Sequence, residues 1–202
     1  MKPSSQHFDA LSELMNIGVG RSAGMLNEML GSSIELIVPS VKVLALSELE
    51  GELGNRAEDL CSFVRLPFHG PLHGTAALVF PPDSAAQLVA VLTGEELGTP
   101  DLDSVRAGTL SEVGNIVING VMGSFGNILR LPLTYDLPSY FEGRTEHLMN
   151  PQVSDPETPL LLAHARFTMR DLEIDGTILL IFEVSSFESL LTAIDQVEAQ
   201  HV

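Results

Sequence analysis

The segment Leu11-Ser12-Glu13, two residues, Asn16-Ile17, with Pro39-Ser40 after 21 intervening residues, occurs twice in this chain. The second copy is Leu110-Ser111-Glu112, two residues, Asn115-Ile116, followed after the same gap by Pro138-Ser139. Seven identities share one offset of 99 residues, as from Glu13 to Glu112, which marks an internal duplication. The match continues downstream, where Gly74-Thr75-Ala76-Ala77-Leu78-Val79-Phe80 parallels Gly176-Thr177-Ile178-Leu179-Leu180-Ile181-Phe182 at an offset of 102. The three extra residues are expected in the polar stretch from Tyr140 to Pro159, which reads as a long loop.

Each copy parses in the same order. A long helix is expected at Ser5–Leu30 and again at Leu102–Leu129, because Phe8, Leu11, Met15, Val19, Ala23 and Leu26 recur at three- and four-residue steps. A strand follows, Ile34–Leu46 and Leu133–Phe141, each interrupted by the shared proline. Proline cannot donate to a ladder, so Pro39 and Pro138 signal an edge or a bulge. A hairpin comes next, Leu60–Leu66 with His73–Phe80 and Leu160–Met169 with Leu172–Phe182, turning at Pro67–Pro71 and Arg170-Asp171. A short helix closes each half, Asp83–Leu92 and Ser186–Ile194, with Asp83 and Ser186 as the expected N-caps. The expectation is a single α/β (α+β) domain over residues 1–202, a pseudo-two-fold duplication of a helix–three-strand–helix unit (repeats about 5–95 and 102–196). It has one mainly antiparallel six-stranded sheet and both long helices on one face.

A Glu and an Asn three residues apart share a helix face. Asn is a poor helix-interior residue because its amide competes with the backbone for hydrogen bonds, so an Asn placed there twice calls for a reason. Asp9, Glu13 and Asn16 form one polar stripe, apart from the apolar stripe of Leu11, Met15 and Val19. The plainer reading is a solvated helix face or a structural Asn; the doubled pattern favours chemistry.

Other classes find little support. A net charge of −17 repels phosphate backbones and anionic lipid surfaces, so nucleic acid and membrane are not expected partners. The lone Cys61 cannot form an internal disulfide and reads as a core thiol of a reducing, cytoplasmic compartment. His69 and His73 have helical metal-site spacing, but Gly70 and Pro71 between them exclude a helix, and no metal or bound cofactor is expected. Gly18, Gly20, Gly24, Gly114, Gly120, Gly123 and Gly126 fit close helix packing better than a phosphate loop. Met25, Met29 and Met122 read as core filler.

The run Asp9, three residues, Glu13, two residues, Asn16, 22 residues, Pro39 resembles the signature of the CheC/CheX/FliY family of chemotaxis phosphatases, and the two-site layout and length are closest to CheC-type members. The resemblance implies an auxiliary phosphatase acting on the aspartyl phosphate of a phosphorylated CheY-like receiver. Glu13, Asn16, Glu112 and Asn115 would be the catalytic residues, and Mg²⁺ would be carried by the receiver rather than by this chain. The second copy departs from the signature at Gly108, where the family has Asp or Ser, so the first copy is expected to contribute more. The same resemblance supports a second reading, a non-catalytic adaptor that binds CheD or flagellar switch proteins.

Overall fold

The computed structural model describes residues 3–30, 33–53, 60–97, 100–144, 155–169 and 172–199. Helix α1 (Ser5–Leu30) leads into strand β1 (Ile34–Ala45), a 3₁₀ turn at Leu46–Glu48 and the short helix α2 (Leu49–Leu53). Strands β2 (Cys61–His69) and β3 (Gly74–Phe80) form a hairpin, followed by α3 (Pro82–Thr93). The second half runs α4 (Pro100–Ile128), β4 (Thr134–Tyr135), β5 (Ser139–Gly143), β6 (Pro159–Met169), β7 (Leu172–Phe182) and α5 (Val184–Ala199).

The strands make one sheet in the order β1-β6-β7-β3-β2-β4, with β5 also on β2, and every pairing is antiparallel. The first strand of each half therefore lies on the other half's hairpin: β1 pairs with β6, and β4 and β5 pair with β2. Ala77 pairs with Leu179 at the centre, where β3 meets β7.

The sheet has seven strands, not the six expected, because the stretch read as one strand from Leu133 to Phe141 is two. Tyr135 pairs with Phe68 and Ser139 with Arg65, and Asp136, Leu137 and Pro138 between them leave the ladder. Pro138 has no N–H to give, and the Asp136 N–H reaches back to the Pro67 carbonyl at 3.1 Å. In β1 the same disturbance is smaller. Ile37 pairs with Arg166 and Ser40 with His164, so Val38 and Pro39 form a bulge on this edge strand.

Other boundaries moved. Strand β2 continues through Pro67 to His69, and the turn falls at Gly70, whose φ of 132° suits a residue without a Cβ. Asp83 is not the cap of α3, which starts at Pro82, a helix-first position where the missing N–H costs nothing. Ser186 is not a cap either. Helix α5 begins two residues earlier, and the Ser186 hydroxyl accepts from the His73 N–H at 2.9 Å. The expected turn at Arg170-Asp171 and most of the expected loop between β5 and β6 lie outside the described residues.

One face of the sheet carries all four longer helices over a core that includes Leu36, Val38, Leu66, Phe68, Leu78, Phe80 and Leu180. The opposite face holds a smaller cluster of Phe63, Val79, Leu162 and Leu179 with Leu46 and Leu49 against it. Helices α1 and α4 are antiparallel neighbours. The Ser22 hydroxyl donates to the Ile116 carbonyl at 3.2 Å, and Ser124 donates to the Leu14 carbonyl at 2.6 Å. They approach closely because Gly18 and Gly120 face each other at the crossing, where an added Cβ on either would strike the other helix. Gly20, Gly24, Gly108 and Gly123 have open space around them and serve no such contact.

Candidate functional site

Helix α1 buries Leu11, Leu14, Met15, Val19 and Leu26, and leaves Asp9, Glu13 and Asn16 exposed. Helix α4 buries Leu110, Val113, Val117, Ile118, Val121, Met122 and Phe125, leaving Glu112 exposed and Asn115 half-buried. The apolar periodicity thus turns each Glu-Asn pair away from the core. Met25 and Met29 are 43% and 46% exposed, so only Met122 of the three methionines is core filler.

Asn16 is held at both ends of its carboxamide by main chain. Its Nδ2 donates to the Ser12 carbonyl one turn back at 3.0 Å, and its Oδ1 accepts from the Val38 N–H at 3.4 Å. The assignment of O and N follows from the partners, since a carbonyl can only accept and an N–H can only donate. The bulge explains the fixed spacing to the proline: by leaving the β6 ladder at Val38-Pro39, the strand turns a main-chain N–H toward the helix. One Asn16 N–H and one oxygen lone pair remain for a partner.

The second pair is built differently. Leu137, which precedes Pro138 as Val38 precedes Pro39, is 88% exposed, while Val38 is only 6% exposed. No strand N–H reaches Asn115 among the described residues. Instead Asn119, one turn onward, donates its Nδ2 to the Asn115 carbonyl at 2.8 Å and to Asn115 Oδ1 at 2.7 Å. The corresponding place after Asn16 is Gly20.

Beside this pair, β5 is pinned to the start of α4. The Tyr140 hydroxyl donates to Glu142 at 2.6 Å and lies 3.2 Å from the Ser62 hydroxyl, and Arg106 sits 3.6 Å from the same Glu142 oxygen. Burial first, and then the Glu142 carboxylate, push the Tyr140 hydroxyl up to about 12.

Glu13 and Glu112 make no hydrogen bond or ion pair among the described residues, so each offers an uncommitted carboxylate one turn before its Asn. Each helix thus presents a carboxylate and a fixed amide one turn apart, and α1 adds the exposed Asp9. Such an arrangement can grip a cation and orient a water. The sequence showed the four side chains. It did not show Val38, whose contribution is main chain, or Asn119, whose i,i+4 spacing from Asn115 was the available signal.

The sequence model of the CheC-like family matches residues 7–43, the span from α1 to the β1 bulge. The chain is 29% identical over 139 residues to the CheY-P phosphatase CheC of Bacillus subtilis (strain 168), covering 66% of this chain and 65% of that protein's length. Among solved structures, Thermotoga maritima FliY superposes with a TM-score of 0.78 at 15% identity, covering 98% of this chain and all of that one. The FliM of the FliG–FliM complex from H. pylori matches at 0.70 and 14%, over 94% of this chain and 100% of that one. The CheX–CheY–BeF3–Mg complex from Borrelia burgdorferi matches at 0.54 and 15%, over 85% of this chain and 99% of that one. The stretch that resembles the CheC-like family thus falls on the helix and bulge that hold Asn16, and the fold around it is shared nearly end to end with FliY.

Proposed function

We propose that this protein is an auxiliary phosphatase that accelerates hydrolysis of the aspartyl phosphate of a CheY-like receiver in chemotaxis signalling. The observation that carries the reading is Asn16, a carboxamide fixed by two main-chain groups on an exposed helix face, one turn after the uncommitted Glu13. Such an amide is preorganised to orient a water in line with a phosphoryl group, and phosphoryl transfer depends on positioning and charge stabilisation rather than on a protein nucleophile. Glu13 and Glu112 grip a cationic side chain of the receiver, Asn16 and Asn115 place the water, and the receiver contributes its own acyl phosphate and Mg²⁺. A 100-fold acceleration corresponds to about 2.7 kcal/mol, within reach of one oriented water and its docking contacts. A receiver substrate places the reaction in the cytoplasm. The name of the B. subtilis relative and the CheY partner of the Borrelia CheX agree with this reading.

A second reading is an adaptor that docks CheD or a flagellar switch protein without catalysis; the fold it shares with FliM, solved in complex with FliG, favours it. Phosphate release from a phosphorylated CheY-like receiver, with and without this protein, separates the two. Faster release that is lost in the Asn16→Ala/Asn115→Ala double variant supports the phosphatase. An unchanged decay rate across the cognate receivers, with stable capture of CheD or a switch protein, establishes the adaptor.

A further inference from the structure

We infer that Asn119 is a positioning residue of the second Glu-Asn pair, taking the part that the Val38 main chain plays in the first; the inference rests on the phosphatase reading for its kinetic consequence. In the first half, the bulge at Val38-Pro39 supplies an N–H to Asn16 Oδ1 at 3.4 Å. In the second half that supply is gone, because the strand is broken at Asp136–Pro138 and Leu137 stands 88% exposed. An unsupported Asn115 would rotate freely about its side-chain torsions and lose the fixed direction that water orientation needs.

Asn119 restores the direction from within the helix. Its Nδ2 carries two hydrogens, one aimed at the Asn115 carbonyl at 2.8 Å and one at Asn115 Oδ1 at 2.7 Å. The chemistry leaves one solution: a carbonyl only accepts, so the Asn119 atom facing it is nitrogen, and the Asn115 atom facing that nitrogen is oxygen. The Asn115 NH₂ is thereby turned outward. Asn16 gives one N–H to Ser12, whereas Asn115 keeps both for a partner among the described residues. Position 20, which follows Asn16 by the same four residues, is Gly with nothing within 4 Å of an added Cβ. The first half thus has room for this brace and lacks it, which ties the brace to the half without a strand anchor.

The test uses the full chain in an Asn16→Ala background, where only the second pair is left. Asn119→Ala should lower kcat for phosphate release by about 3- to 10-fold, the worth of one orienting hydrogen bond, with KM unchanged. Asn119→Asp should lose at least as much at an unchanged Tm, because a carboxylate can only accept and would turn the Asn115 amide over. Loss of turnover in Asn115→Ala with full turnover in Asn119→Ala and Asn119→Asp would overturn the positioning role while leaving the phosphatase reading intact. If the wild-type protein accelerates no release, the phosphatase reading fails, and the Asn115 side-chain ¹H–¹⁵N signals decide the brace. Asn119→Ala should shift them and speed their exchange with water, and unmoved signals would overturn it.

Discussion

A Cβ placed on Gly18 would sit 2.5 Å from the Val121 Cα, a main-chain atom of the facing helix that cannot step aside. Gly18→Ala is therefore expected to push α1 from α4 and destabilise the fold by about 1–3 kcal/mol, the usual cost of overpacking. Gly20→Ala, two residues on in open space, should be neutral or slightly stabilising. Urea unfolding of the two variants side by side checks the contrast.

The two Asn residues should contribute unequally. Main-chain groups hold Asn16, while Asn115 leans on another side chain that carries its own rotamer freedom, and Gly108 stands where Asp9 stands in the first half. Asn16→Ala should remove more than half of the phosphate-release rate, Asn115→Ala less than half, and the double variant should fall by about 10²-fold. A larger loss from Asn115→Ala would show that strand anchoring is not what ranks the two sites.

Pro39 acts on Asn16 through the bulge. Pro39→Ala returns an N–H to β1 and lets the strand regain the β6 ladder, drawing the Val38 N–H away from Asn16. In an Asn115→Ala background, phosphate release should fall by about 3- to 10-fold, the range of one orienting hydrogen bond, while thermal stability stays near that of the parent. An unchanged rate would separate the proline from the site.

Tyr140 gives the protein an alkaline limit. Its hydroxyl titrates near 12 in the folded chain, above the ordinary 10, because burial and Glu142 both disfavour the phenolate. The folded state then holds a proton that the unfolded state gives up, so this contribution is complete below pH 10 and is lost as pH rises from 10 to 12. Tyr140→Phe should flatten the fall in Tm over that window, measured at matched ionic strength.

The helices were legible because their cores are periodic; α1 begins and ends at the residues its apolar stripe indicates, Ser5 and Leu30. The hairpins were legible from alternation, and the first also from Gly70 at its turn, although Pro67, which reads as a turn, lies within β2. The seventh strand was not, since the alternation of Leu133–Phe141 hides a break made by one missing N–H and the Asp136–Pro67 bond. The position of β1 on β6 was beyond local reading as well, because Ile34 finds Met169 and no short-range pattern encodes that partner. At the candidate site, Glu13, Asn16, Glu112 and Asn115 were marked by the duplication. Val38 works through a group that every residue but proline possesses, so nothing in its identity points to it.

The crossed placement of the edge strands sets an order of events in synthesis. When β1 leaves the ribosome, its hydrogen-bonding partner β6 has not been made, and most of the chain must be translated before the ladder from Ile34 to Ala45 can close. Until then the nascent first half carries a strand with its backbone groups unpaired, the state in which chains capture one another. A chaperone that shields this strand, or a pause that delays release, should raise the yield of active protein. A fragment ending at Thr93 should accumulate as aggregate rather than as half a molecule.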